Sequence, residues 1–153
     1  MSTIDERLAE LGLSLPVLAK PVAAYVPAVI TGNLVYTSGQ LPFVDGALPA
    51  TGKLGSAVSD TTGKELAQIC ALNALAAVQS VIGSLDRVTR IVKVVGFVAS
   101  EPSFTGQPGV INGASEILGE IFGDAGVHAR SAVGVAVLPL DSPVEVELIV
   151  EFA

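Results

Sequence analysis

The sequence predicts an α+β domain with helices packed on one face of a mixed or antiparallel sheet. Three observations predict it. Segments of strand and helix character follow one another as helix, strands, helix, strand, helix, two strands, an order that suits a ferredoxin-like sandwich. Half of the 153 residues are hydrophobic and only 15% are charged, which supplies a sizeable core. No repeat or linker interrupts the chain, so a single domain over 1–153 is expected, with 1–15 as an N-terminal helical extension.

Each element has a local cause. Thr3 and Glu6 have capping-box spacing, and Ile4, Leu8 and Leu11 recur on one side, so a short amphipathic helix opens the chain. Pro16, Pro21 and Pro27 then keep the backbone extended. "NLVYTSGQLPF" (33–43) reads as a strand ending at Ser38-Gly39-Gln40. Residues 44–59, rich in Gly, Ala, Ser and Pro, form a loop or irregular arm. A helix is expected from about Thr62 to Ser80 or beyond. Thr62 and Glu65 have capping-box spacing, Leu66, Ile69, Cys70, Ala77, Val78 and Val81 form its stripe, and Gly83 is its stop.

"RIVKVVGFVAS" (90–100) is a β-branched strand. "VINGASEILGEIF" carries a helical stripe of Val110, Ala114, Ile117, Leu118 and Ile121, stopped by Gly123. Two strands, 129–138 and 144–152, finish the chain as a hairpin across "PLDSP". Helices on one face leave the other face of the sheet to be buried against further subunits.

Composition excludes several functions. A net charge of −7 with eight Lys and Arg scattered along the chain argues against nucleic acid as a partner. The single cysteine, Cys70, permits no internal disulfide and no multi-Cys metal cage, and the single histidine, His128, permits no His-based metal site. No cofactor or metal is expected. Asp5, Glu6 and Glu10 near the N-terminus are unlike a signal peptide. "LAQICALNALAAVQSVIGSL" is uncharged, but Gln68, Asn73, Gln79 and Ser80 interrupt it, so a soluble helix is expected and no membrane partner. Cytoplasmic localisation is the expectation.

The chemistry concentrates around Arg130. From Val94 onward there are eight acidic side chains and one basic one, Arg130, at the mouth of the strand "HARSAVGVAV". Strand alternation places Arg130 with Ala132, Gly134 and Ala136, a floor of little side-chain volume that admits a small ligand or a close-packed helix. A guanidinium fork matches a carboxylate. The bland alternative is an ion pair with Glu145 or Glu147. The last strand sets Val144, Val146, Leu148, Val150 and Phe152 on one face and Glu145, Glu147 and Glu151 on the other. Whether Glu145 meets Arg130 depends on the register of the hairpin.

"ARSAVGVAVLPLDSPVEVE" (129–147) resembles the closing signature of the YjgF/RidA (L-PSP) family. "YVPAVITGNLVYTSGQLP" (25–42) is similar to its opening strands, and "VINGASEIL" to the segment before its second helix. The resemblance implies a chorismate-mutase-like fold and a homotrimer with clefts between subunits. In the deaminase branch these clefts hydrolyse reactive enamines and imines to 2-oxo acids and ammonia, without a cofactor. By motif position, Arg130 would clamp the substrate carboxylate and Glu145 would hold the attacking water. Tyr25, Ser38, Gly39, Asn112 and Ala132 would line the cleft. Two departures, Ala132 for a frequent Cys and Ser115 for an aromatic, leave extra volume. They keep open a larger amino-muconate-like substrate, or a non-catalytic trimer that binds small carboxylates or a protein.

Overall fold

A computed structural model describes residues 2–18 and 23–153; the extended backbone expected at Pro21 lies outside them. Helix α1 (Ile4–Glu10) opens the chain with the Thr3–Glu6 capping box formed in both directions. Strands β1 (Ala28–Thr31) and β2 (Leu34–Thr37) form a hairpin. Gly32, at φ 59, supplies the left-handed backbone of its turn. Helix α2 (Asp60–Ile82), strand β3 (Val88–Ala99), helix α3 (Gln107–Phe122), and strands β4 (Ala129–Val135) and β5 (Val144–Phe152) complete the domain.

The five strands run in the order β1-β2-β5-β3-β4. All neighbouring pairs are antiparallel except β3 and β4, which α3 joins as a parallel crossover. The sheet is therefore mixed, with α2 and α3 on one face. Val144, Val146, Leu148 and Val150 of β5 are buried beneath these helices. They share the core with Leu75 and Val78 of α2 and Ile111 and Leu118 of α3. Gly96 lets α3 approach, since a Cβ there would strike the Ile111 side chain. The apolar length of α2 is a core helix, with Cys70, Ala71, Ala74 and Ala77 at 0% exposure.

Four details differ from expectation. The α2 cap is Ser59, whose Oγ accepts from Thr62 N, rather than Thr62 itself. Helix α3 begins three residues earlier, at Gln107, with Pro108 in its first turn. The expected strand 129–138 ends at Val135. The last two strands are not a hairpin: β3 lies between them, and "PLDSP" passes over its end, where Ala99 N donates to Pro143 O at 2.9 Å. A turn holding two non-glycine residues in the left-handed region, Leu140 and Asp141, makes that step.

The 44–59 arm is irregular, as expected, yet Leu54 and Val58 within it are core residues. Leu54 N donates to Ala99 O at 2.8 Å and Glu101 N to Leu54 O at 3.0 Å, so the arm is stitched to the end of β3.

The other face of the sheet carries no helix. Val29 (52% exposed), Tyr36 (42%) and Val133 (44%) are solvated there in the single chain, with Ile149 opposite Tyr36 and Glu145 opposite Phe97.

Candidate functional site

Register decides where Arg130 points. Arg130 pairs with Val94, which pairs with Leu148. Val94 and Leu148 are both buried under the helices, so the guanidinium lies on the helix-covered face at the sheet edge. There α3 meets it. Arg130 Nη1 donates to Asn112 Oδ1 at 2.7 Å and to Ser115 Oγ at 3.2 Å. Asn112 and Ser115 stand at i and i+3, so both reach the same strand.

His128 extends the network. Its Nδ1 is 2.6 Å from Gly126 O and its Nε2 2.8 Å from Ser115 Oγ. A carbonyl only accepts, so Nδ1 carries a hydrogen. Ser115 Oγ accepts from Arg130 and links it to the His128 ring.

No carboxylate lies within salt-bridge distance of Arg130 among the described residues; the two ion pairs there are Arg7–Glu10 and Lys64–Glu116. The bland alternative of an Arg130–Glu145 pair is not what the chain builds. Asn112 and Ser115 orient the cation without neutralising it. The small-residue strand serves packing as well: a Cβ at Gly134 would meet Gln107 Nε2, and Ala132 packs against the core.

Glu145 lies elsewhere. It pairs with Phe97, three residues along β3 from Val94, and so projects from the opposite face. Its carboxylate packs over Gly39, where a Cβ would collide with it. Burial pushes the Glu145 carboxyl above the usual glutamate range, and the like charge of Glu147 adds to the shift.

Around Gly39 the other expected cleft residues gather. Ser38 Oγ donates to Val26 O at 2.6 Å and Ser38 N to Pro27 O at 2.8 Å. This serine therefore fastens the segment carrying Tyr25 to the end of β2, and its hydroxyl hydrogen is committed. Tyr25 is 55% exposed and, with Gly39 and Gln40, lines a cavity of about 800 Å³.

The expected residues thus form two groups: Arg130, Asn112 and Ala132 at the β4 edge, and Tyr25, Ser38, Gly39 and Glu145 about β2 and β5. Three strand spacings separate β2 from β4, roughly 14 Å. One protomer does not unite them. Sequence reasoning missed the bonding roles of Ser115 and His128; the 112/115 spacing was the available signal. It also missed Asn73, whose Nδ2 donates to Leu41 O at 2.9 Å and Phe43 O at 3.2 Å and holds the loop after β2. Among the described residues no group of three His, Cys, Asp or Glu is placed to hold a metal ion.

Fold and site together define an α+β protein with an oriented, unneutralised arginine at a sheet edge. The chain belongs to the family described as "YjgF/chorismate mutase-like, putative endoribonuclease", whose model it matches over residues 5–152. It is 46% identical to Protein TCP17 of Trypanosoma cruzi over 97% of this chain and 93% of that one. Its structure is similar to that of Atu1372 from Agrobacterium tumefaciens, a protein of unknown function (TM-score 0.92, 46% identity, 98% and 92% of the two chains). It is also similar to Escherichia coli TdcF, crystallised with bound serine (TM-score 0.66, 25% identity, 89% and 94%).

Proposed function

We propose that this chain hydrolyses reactive enamine or imine carboxylates to 2-oxo acids and ammonia, in clefts between the subunits of a homotrimer. The single observation that carries the reading is Arg130, oriented by Asn112 and Ser115 and unpaired with any carboxylate among the described residues. The separation of Arg130 from Glu145 supports the assembly, because a second copy supplies the missing half. The exposed Val29, Tyr36 and Val133 on the helix-free face supply apolar surface for that contact.

In the proposed cleft, Arg130 of one copy binds the substrate carboxylate through its guanidinium fork. Glu145 of the neighbour holds a water against the imine carbon and accepts its proton as the C–O bond forms. The proton passes to nitrogen, the C–N bond of the tetrahedral adduct breaks, and ammonia leaves. An imine carbon is already electrophilic, so positioning supplies most of the acceleration. The raised pKa of Glu145 brings it nearer neutrality, where one group both takes and returns a proton efficiently. Serine bound to TdcF shows that a relative takes a small amino acid, and such a ligand carries the carboxylate this reading requires.

RNA cleavage, which the family description names, fits the chain less well. Its net charge of −7 repels phosphate, and its one histidine is hydrogen-bonded internally to Gly126 and Ser115.

The test couples a pyridoxal-phosphate lyase that releases 2-aminoacrylate to pyruvate detection. The protein is expected to accelerate pyruvate formation and Arg130→Ala to abolish the acceleration. An unchanged rate with both proteins sinks the proposal. Binding of small carboxylates without any turnover would identify a non-catalytic capture module instead.

A further inference from the structure

The cavity beside Gly39 differs in character from the Arg130 site. Its walls come from four separate parts of the chain: Leu18 before the β1–β2 hairpin, Leu41 and Phe43 after β2, Ile69 and Leu72 on α2, and Leu140 in the turn before β5. These six side chains are apolar. Asn73 also lines it, with both Nδ2 hydrogens given to backbone carbonyls and Oδ1 accepting no hydrogen bond among the described residues. Among the described residues no Lys or Arg lines the cavity, and the one acidic residue lining it is Asp45.

Its volume of about 800 Å³ falls in the range of pockets that enclose whole organic ligands. A three-carbon imine would fill a small part of it and gain nothing from its walls. A second carboxylate, as on a muconate-like substrate, would leave water for a largely apolar space where no cation among the described residues receives it. A branched aliphatic or aromatic group would bury its surface there.

The geometry points to a substrate class: 2-imino acids of single negative charge with a branched aliphatic or aromatic side chain, the side chain seated in this cavity. The assignment rests on the deaminase reading for its chemistry, but the side-chain preference is a property of the cavity and is separable from turnover. Glu145 packs over Gly39, and Gly39 lines the cavity, so in the proposed cleft the imine carbon of such a substrate would pass this carboxyl on its way toward a neighbour's Arg130. The reaction is R–C(=NH)–COO⁻ plus water to the 2-oxo acid plus ammonia, with no oxidant or cofactor required.

The experiment generates imines in place with D-amino-acid oxidase from D-alanine, D-leucine and D-phenylalanine, and with D-aspartate oxidase from D-glutamate. Decay is followed by competition with semicarbazide. The leucine- and phenylalanine-derived imines are expected to show kcat/KM at least about tenfold above the alanine-derived one, with the dianionic imine lowest. Val44→Trp, a substitution in the exposed loop that also lines the cavity, is expected to bring the large-to-small ratio close to one. Calorimetry adds a readout independent of turnover: phenylpyruvate is expected to bind at least about tenfold more tightly than pyruvate.

Hydrolysis of the alanine-derived imine without preference for the larger ones overturns the substrate assignment and leaves the deaminase reading intact. Tighter phenylpyruvate binding without hydrolysis of any imine overturns the deaminase reading and leaves the cavity assignment intact. Preference for the dianionic imine, or equal binding of the two 2-oxo acids, overturns the cavity assignment.

Discussion

Arg130 and Glu145 project from opposite faces of the same sheet, because Arg130 pairs with Val94 and Glu145 with Phe97, three residues apart on β3. A chemistry that uses both must draw them from different copies of the chain.

That requirement predicts complementation. Arg130→Ala and Glu145→Gln are each expected to be inactive alone. When the two are unfolded, mixed in equal amounts and refolded together, random trimers place both native residues in about a quarter of the clefts. Imine hydrolysis should recover to about that fraction of wild type. No recovery, with mixed trimers confirmed by native mass spectrometry, would show that the clefts are not shared in this way.

The Asn112–Arg130–Ser115 contacts predict a graded loss of anion binding. Asn112→Ala removes the 2.7 Å bond and leaves the guanidinium free to swing. A hydrogen bond to a charged group contributes about 1.5–3 kcal/mol, so pyruvate affinity should fall by about tenfold or more. Ser115→Ala removes the longer contact and should cost less. Calorimetry ranks the two, and circular dichroism checks that each variant is folded.

Glu145 predicts the pH dependence. Its carboxyl is held above the ordinary glutamate range by burial, then by Glu147. A base works deprotonated, so kcat/KM should rise with pH through an acid limb displaced upward from that of a solvated glutamate. Stability runs the opposite way. The folded chain holds this proton more tightly than the unfolded one, so the carboxyl weakens the fold as pH rises from the ordinary glutamate pKa through the raised value. Glu145→Gln should therefore raise the melting temperature by a few degrees at pH 8 and change it little near pH 4, by calorimetric scans at both values.

Leu54 tests whether the arm is part of the core. It is 0% exposed and bonded through its backbone to Ala99 and Glu101. Leu54→Ala is expected to lower stability by about 2–5 kcal/mol in urea denaturation. A loss below about 0.5 kcal/mol, typical of a surface change, would mean the arm only rests on the surface.

The existence and order of the elements were legible in the sequence, because each has a local cause. The Thr3–Glu6 box, the stops at Gly83 and Gly123, and the alternation of Val144 through Phe152 depend on backbone geometry and on period alone. Arg130 stood out for a local reason too, as the one Lys or Arg from Val94 to the last residue, against eight acidic side chains. Tertiary structure decided what those residues face. The sequence has no local signal that β3 lies between β4 and β5, since strand order follows from which apolar faces bury together. That order alone separates Arg130 from Glu145. It also brings Asn112 and Ser115 to the guanidinium and assembles one cavity from Leu18, Phe43, Ile69 and Leu140, residues that no spacing along the chain connects.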